Sequence, residues 1–354
     1  MTGTGPATGS GPAPVTATVD EAVPFALPLA RRFRGTELRE GVLLRVGGTW
    51  GEWAPFPEYD DETGARWLRG ALEAAHGAWP TPRRDSVEVN AIVPALGPAA
   101  VAQLVVDAVS VDGCTTVKVK VAERGQTFDE DVERVAAVRA ALDDCGADAG
   151  RIRVDANGAW TVDEAVLRLS VLDDLAGGLE YAEQPCASLQ EMAALRERTG
   201  VRLAVDEGVR LTARLDDATL RRVRDAADVL VLKAVPLGGV RRSLEVAAAL
   251  GLPVTVSGAL DSTVGLSAGL ALAAALPGAP YACGLGTGRL LAADLTEETA
   301  LPRDGRLSVV RHAPDPTALT LARARLDGER AAWWLARLDR CLALVAADPT
   351  GSTA

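Results

Sequence analysis

Lysine is almost absent from this chain of 354 residues: its 37 basic residues include only Lys118, Lys120 and Lys233, and all the others are arginine. Histidine is scarcer still, with His76 in an Ala/Gly/Trp stretch and His312 beside a Pro-rich turn, positions that suit surface or packing roles. So little histidine argues against a Ser-His-Asp triad, a His-rich zinc site or a His-Asp base pair. The cysteines (Cys114, Cys145, Cys186, Cys283, Cys341) are scattered without a C-x-x-C pair and read as reduced, mostly buried thiols of a cytoplasmic protein. Residues 1–18 are rich in Gly, Thr, Ala and Pro and lack an apolar core, so they predict a disordered tail rather than a cleavable signal. The apolar stretch 264–276 is too short and too rich in small residues for a membrane span. A formal charge of −11 argues against nucleic acid or an anionic membrane as partner.

What is present is organised. From 19 to about 60, apolar runs such as Gly41–Val46 alternate with turn signals and predict a small antiparallel sheet, followed by helical periodicity at about 62–78. From about 87, short β-branched runs alternate with amphipathic Ala/Leu/Arg-rich stretches. The predicted strands are Val87–Val93, Thr115–Val121, Arg151–Asp155, Gly178–Glu183, Arg202–Asp206, Asp228–Lys233, Pro253–Ser257 and Pro280–Cys283. Parallel strands joined by crossover helices are the economical reading, and eight of them suggest a closed barrel. An open doubly wound sheet is the alternative, but no G-x-G-x-x-G follows the first strand to support a dinucleotide site. Residues 305–310 predict one more strand, and about 316–347 a long helix, broken at Gly328, that returns to the N-terminal layer.

In a barrel of this kind chemistry sits at the C-terminal strand ends. Those ends carry Lys118 and Lys120, then Asp155, Glu183, Asp206, Lys233 and Ser257, each about one strand-helix unit beyond the last, so all three lysines fall on strand ends. A single carboxylate after a strand commonly caps the next helix. Three on consecutive strands converge, and their repulsion calls for a cation; oxygen ligands with water and substrate suit Mg²⁺, or Mn²⁺. Strands two and six face each other across an eight-strand ring, which places a substrate between Lys120 and Lys233. Lys118 shares the face of Lys120, one pleat lower. Arg153 points inward beneath Asp155, and is expected either to steer Lys120 or a carboxylate or to pack in the barrel floor. A metal facing a lysine base suits proton abstraction next to a carboxylate of a small-molecule substrate.

These segments resemble the enolase superfamily, in its muconate-lactonizing-enzyme-like subgroup with lysines on both sides of the site. TVKVKV (116–121) resembles its K-x-K motif, RVDANGAW (153–160), YAEQP (181–185) and AVDEG (204–208) its three metal-ligand motifs, and VLKAVPLGG (231–239) the segment with the opposite lysine. A lysine base paired with Mg²⁺ is an already known feature of that superfamily. Within it, RFRG (32–35), TWGEWAPFPEY (49–59) and CGLGT (283–287) are most similar to the actinobacterial o-succinylbenzoate synthase family.

The resemblance implies an α/β fold, a modified TIM barrel of (β/α)7β type, with an α+β capping domain built from the N-terminal region and the C-terminal segment. The expected boundaries are 1–18 for the tail, 19–86 for the cap, 87–300 for the barrel and 301–354 for the segment packing on the cap. It also implies dehydration of 2-succinyl-6-hydroxy-2,4-cyclohexadiene-1-carboxylate to o-succinylbenzoate in menaquinone synthesis, through an enediolate. Lys120 would be the base and Lys233 its electrostatic partner, with Asp155, Glu183 and Asp206 as metal ligands. Lys118, Arg153 and Asn157 would stand behind them, and Ser257, Gly258, Gly286 and Thr287 would bind a substrate carboxylate. The loops at Phe33–Gly35 and Trp53–Phe56 would close over the site, Trp53 and Phe56 having a domain-interface role as the alternative. Gly258 departs from the second polar residue expected there. The rival reaction is racemisation of N-acylamino acids or epimerisation of dipeptides by the same two lysines. The epimerase version is disfavoured because CGLGTG carries no acidic pair, Asp294 lying well beyond it. A non-catalytic scaffold would be expected to have lost a lysine or a carboxylate, and all five remain. Oligomeric state is left open by the sequence.

Overall fold

The structure is a computed structural model and describes residues 19–33, 35–77, 79–211 and 216–348; the tail at 1–18, Arg34 of the RFRG motif and the last residues of the 301–354 segment lie outside it. Three antiparallel strands open the chain: β1 (Glu21–Phe33), β2 (Thr36–Val46) and β3 (Thr49–Trp53). Gly47 and Gly48, at φ 56° and 90°, form the two-residue turn between β2 and β3, a geometry that disfavours side chains with a Cβ. Helix α1 (Asp61–His76) starts at an Asp60 cap, stops at Gly77 in the left-handed region, and buries Trp67, Leu68, Ala71 and Leu72.

A short strand β4 (Ser86–Glu88) leads into the barrel. The barrel opens with β5 (Ala91–Val93), α2 (Pro98–Ser110), β6 (Thr116–Lys120), α3 (Phe128–Asp144), β7 (Arg151–Asp155), α4 (Val162–Ala176), β8 (Leu179–Glu183) and α5 (Leu189–Arg196). There follow β9 (Leu203–Val205), α6 (Glu207–Arg210), α7 (Asp217–Ala226), β10 (Val229–Leu232), α8 (Val240–Leu250), β11 (Val254–Val256) and α9 (Thr263–Ala275). After α9 come β12 (Arg306–Ser308), α10 (Pro316–Ala324) and α11 (Gly328–Ala347), the last two packing on β1 and α1. The expected helix break at Gly328 is where α11 begins.

Strands β5 to β11 form one parallel sheet in sequence order. Alternation within β6 explains the layering: Val117 and Val119 join the apolar layer with Val101, Val105 and Val135 of the helices, and Lys118 and Lys120 take the opposite, inward face. Helices α3, α4 and α5 each begin with a capping box, Thr127 with Glu130, Thr161 with Glu164 and Ser188 with Glu191, which fixes where each loop ends.

Two predicted strands need correction. The segment Val87–Val93 is split: β4 pairs antiparallel with β12, whereas β5 joins the barrel. The backbone changes partner between Val89, whose N–H donates to Gly305, and Asn90, whose N–H donates to Cys283. Pro280–Cys283 is not a strand. Barrel closure nevertheless occurs at Cys283 and Gly284, where Cys283 N–H donates to Glu88 O (2.7 Å) and Gly284 N–H to Val256 O (2.7 Å). All five cysteines are free, and no helix among the described residues is long and apolar enough to cross a membrane.

The cap grips the barrel at named points. A Cβ on Gly70 of α1 would lie 2.7 Å from the Val235 backbone, so glycine lets α1 settle on the loop after Lys233. Glu73 of the same helix accepts the Val240 and Arg241 N–H groups at the start of α8. Buried Arg39 of β2 donates to the carbonyls of Leu260 (3.0 Å) and Ala54, while Glu52 of β3 accepts from the Ser262 N–H and hydroxyl at the start of α9. Burial and then Asp261 push the Glu52 carboxyl up to about 7, against the pull of Arg39 and Ser262. The folded state therefore holds a proton that the unfolded chain releases near 4.5. The resulting stability is fully present below that value and is lost as pH rises through about 7. Glu52→Gln should flatten Tm against pH between about 5 and 8, removing a slope worth on the order of 1 kcal/mol or more. An unchanged slope would refute this origin.

Candidate active site

The inward faces of three neighbouring strands build the site in rows. Lys120, Asp155 and Glu183 are register partners across β6, β7 and β8, and Lys118, Arg153 and Tyr181 form the row beneath. The carboxylates are about 1% exposed, and the three lysines are between 5% and 8% exposed, so their charges must be answered locally.

Lys120 Nζ lies 2.6 Å from Asp155 Oδ2 and 2.7 Å from Asn157 Oδ1, with the Phe33 ring 5.9 Å away. Lys118 reaches up from the lower row to both Glu183 oxygens (2.9 Å each) and to Asp155 Oδ2 (3.0 Å). On the other side, Lys233 Nζ lies 2.6 Å from Asp206 Oδ2. Burial opposes the charge on Lys118, but Asp155 and Glu183 outweigh it and hold the ammonium protonated far beyond its ordinary range. Burial likewise works against Asp155, and Lys118 and Lys120 overcome it, holding this carboxylate well below the usual value. Asp206 is lowered in the same way, burial being overcome by Arg210 and Lys233. Glu183 differs. Burial and then the neighbouring Asp155 push it up to about 7, with Asp206 adding to the repulsion and Lys118 relieving part of it.

The three carboxylates end adjacent strands and each is paired with a lysine; among the described residues no three His, Cys, Asp or Glu side chains are grouped closely enough to enclose an ion. Their chemistry still fits one. All the donors are hard carboxylate oxygens without His or Cys, and Glu183 carries a repulsion that a divalent cation would relieve. Asp206 occupies the position before α6 without a capping hydrogen bond from its side chain to the helix backbone.

The other expected residues divide. Asn157 accepts from Lys120 and sits in the left-handed region at φ 48°, as does Gln184 at 40°, directly after β8. Ser257, Gly258, Gly286 and Thr287 gather where the barrel closes. Gly258 N–H donates to Gly284 O, and the buried Thr287 hydroxyl has no partner among the described residues. Arg153 donates to Glu180 (2.5 Å), to Asn90 Oδ1 (3.0 Å) and to Ala282 O (2.7 Å) over the Tyr181 ring. The carboxylate it pairs with is thus Glu180, at the base of β8, and Glu183 above acts on it through charge. Trp53 packs edge-on to Trp334, and Phe56 against Tyr59 and Trp67, so both belong to the cap interior rather than to a lid.

Sequence reasoning missed Glu207, Arg210 and Tyr59. Arg210 Nε donates to Asp206 Oδ1 (3.0 Å), one terminal nitrogen to Glu207 Oε1 (2.8 Å) and the other to the Tyr59 hydroxyl (3.1 Å). Asn157 Nδ2 also donates to Glu207 Oε1 (3.2 Å). The i+3 and i+4 spacing of Arg210 from Glu207 and Asp206 was a usable signal; nothing local pointed to Tyr59.

The chain is similar to known proteins along nearly all of this architecture. A family model described as enolase N-terminal domain-like matches residues 24–75, and one described as enolase C-terminal domain-like matches 76–315. It is 51% identical to the o-succinylbenzoate synthase of Thermobifida fusca (strain YX), over 89% of this chain and 93% of that protein. It is 45% identical to the o-succinylbenzoate synthase of Mycobacterium ulcerans (strain Agy99), over 95% of this chain and 97% of the relative. Among solved structures, a muconate lactonizing enzyme superposes with TM-score 0.70 at 18% identity, covering 86% of this chain and 99% of its own. The L-Ala-D/L-Glu epimerase of Bacillus subtilis superposes with TM-score 0.69 at 19% identity, covering 83% of this chain and 96% of its own.

Proposed function

This chain belongs to the o-succinylbenzoate synthase family of the enolase superfamily, carbon-oxygen lyases of menaquinone biosynthesis, and on that premise we propose that Lys120 and Lys233 carry the dehydration between them. The substrate is 2-succinyl-6-hydroxy-2,4-cyclohexadiene-1-carboxylate and the products are o-succinylbenzoate and water. Lys120, as the free amine, takes the proton next to the ring carboxylate. The C–H electron pair becomes the new ring double bond as the C–OH bond breaks on the same face, and the Lys120 ammonium returns its proton to the departing hydroxyl. Lys233, from the opposite side, offsets the negative charge that builds on the carboxylate. Lys118 is held charged by Asp155 and Glu183, so it serves as a fixed cation and not as a base.

Asp155, Glu183 and Asp206 would hold Mg²⁺, or Mn²⁺ in its place, which when bound supplies positive charge to the substrate carboxylate and weakens the adjacent C–H bond. The observation that carries this reading is one buried constellation in which a lysine meets a carboxylate on each side of the mouth. We assign binding of the succinyl or ring carboxylate to Ser257, Gly258, Gly286 and Thr287, with the Thr287 hydroxyl, which has no partner among the described residues, the clearest candidate donor.

A second reading, racemisation of an N-acylamino acid, is favoured by the same opposed lysines, each paired to its own carboxylate. Epimerisation of a dipeptide is not, because Asp294 is engaged: it accepts from the Thr263 N–H (3.0 Å) and hydroxyl (2.6 Å) at the start of α9.

The test is a direct assay of the purified chain for appearance of the aromatic product, with Mg²⁺ or Mn²⁺, after chelation, and after metal is restored. Chelation should abolish turnover and added metal should restore it. Full activity in metal-free protein would overturn the mechanism. Exchange of solvent deuterium into both enantiomers of an N-succinylamino acid, faster than dehydration, would reverse the order of the two reactions.

A further inference from the structure

Arg210 is 4% exposed and stands at the end of the one-turn helix α6, outside any expected ligand or base position. Its contacts complete a continuous chain around the site. Lys120 donates to Asn157, Asn157 to Glu207, Arg210 to Glu207 and to Asp206, and Lys233 to Asp206. The Arg210 guanidinium is the centre of that chain, and its remaining nitrogen is tied to Tyr59, in the loop that leads from β3 into α1 of the cap. The position under Asp206 is also pinned from below, where Gln184 Oε1 accepts the Asp206 and Gly208 N–H groups (3.1 Å each).

We propose that Arg210 is a positioning residue, which turns the carboxylates of Asp206 and Glu207 in their separate directions and thereby aims both lysines, with Tyr59 making that arrangement depend on a seated cap. The inference rests on the roles given above to Lys120, Lys233 and Asp206. Two adjacent carboxylates on a buried turn repel each other, and a planar fork can satisfy one with Nε and the other with a terminal nitrogen at fixed angles. A lysine at the same place offers a single charge centre. It can serve one carboxylate well, but not both carboxylates and the phenol together. Losing the cation outright leaves Lys233 as the one cation paired with Asp206 among the described residues and removes a partner that sets the direction of Glu207, and with it of Asn157 against Lys120.

The experiment compares Arg210→Met, Arg210→Lys and Tyr59→Phe with wild type in the full chain. It reads kcat and KM for dehydration, Mn²⁺ affinity by titration without substrate, and Tm. Removing partners that orient a metal ligand characteristically costs about 10- to 100-fold in affinity or activity, and Arg210→Met should lose that much in kcat and shift Mn²⁺ affinity by about tenfold, with KM moving less. Arg210→Lys should recover part of the Mn²⁺ affinity but less of kcat, and Tyr59→Phe should lower kcat by about tenfold while holding Tm within a few degrees. A role confined to stability would lower Tm and leave kcat per folded molecule and Mn²⁺ affinity unchanged, which overturns the proposal. Should Arg210→Met fail to fold, Arg210→Lys and Tyr59→Phe decide: kcat and Mn²⁺ affinity within about twofold of wild type in both would overturn it. A wild-type chain that binds Mn²⁺ without dehydrating the substrate would refute the proposed function alone, since Mn²⁺ affinities of the variants still report on Arg210.

Discussion

Lys120→Ala should lower kcat for dehydration by roughly 10⁴-fold with the fold retained, and Lys120→Arg should be nearly as inactive. The pair of variants separates two things that one lysine supplies. Arginine keeps a cation beside Asp155 and so preserves the local charge balance, but a guanidinium does not give up its proton near neutral pH and cannot take one from carbon. Lys118 cannot substitute, although it lies on the same strand face. Both oxygens of Glu183 and one of Asp155 hold its ammonium charged, and it sits a full row lower. Folding should survive in either variant because Asp155 keeps Lys118 as a partner. The measurement is steady-state turnover, with Tm and Mn²⁺ affinity as controls on structure. Lys120→Arg retaining more than about a tenth of wild-type kcat would mean that the base lies elsewhere.

The rows that make this argument possible were readable from parity. In TVKVK and RIRVD every second residue is apolar and faces the helices, so the intervening Lys118, Lys120, Arg153 and Asp155 had to share the barrel interior. Parity gives the face of a side chain and nothing about its partner. Arg153 points inward as expected, yet its partners come from Glu180 on the next strand and from Asn90 and Ala282 at the barrel seam, which no local pattern announces. The seam itself was misjudged for a related reason. Pro280 and the glycines after Cys283 leave too few paired residues for a strand, so closure rests on the backbone hydrogen bonds that Cys283 and Gly284 give and accept. At Val89 and Asn90 the apolar run continues while the hydrogen-bonding partners change, and composition cannot record such a change. Tyr59 and Arg210 meet across 151 residues of sequence, so that contact appears only once the cap is seated on the barrel.

Lys233→Ala should reduce kcat for dehydration by about 10²- to 10³-fold, the loss expected when a single preorganised charge is removed from a developing anion. Lys233→Arg should recover a substantial part of that loss, in contrast to Lys120→Arg, because the role assigned to Lys233 needs positive charge and no proton transfer. Geometry supports testing the two positions as opposites. Each ammonium lies 2.6 Å from a carboxylate, but Lys120 is attached to Asp155 at the end of β7 and Asn157 just beyond it, and Lys233 to Asp206 beyond β9. Arg210 keeps Asp206 paired when Lys233 is lost, so the alanine variant removes a charge from the substrate's side without stranding a buried carboxylate. The same variants separate the two candidate reactions. Dehydration needs an exchanging proton on one face only, whereas racemisation needs one on each. If arginine at position 233 preserves dehydration and stops deuterium exchange into one enantiomer of an N-succinylamino acid, the base lies on the Lys120 face and Lys233 acts through charge in the elimination. Equal inactivation of dehydration by Lys233→Arg and Lys233→Ala would show instead that the proton on Lys233 is itself required, and the one-base mechanism would fall.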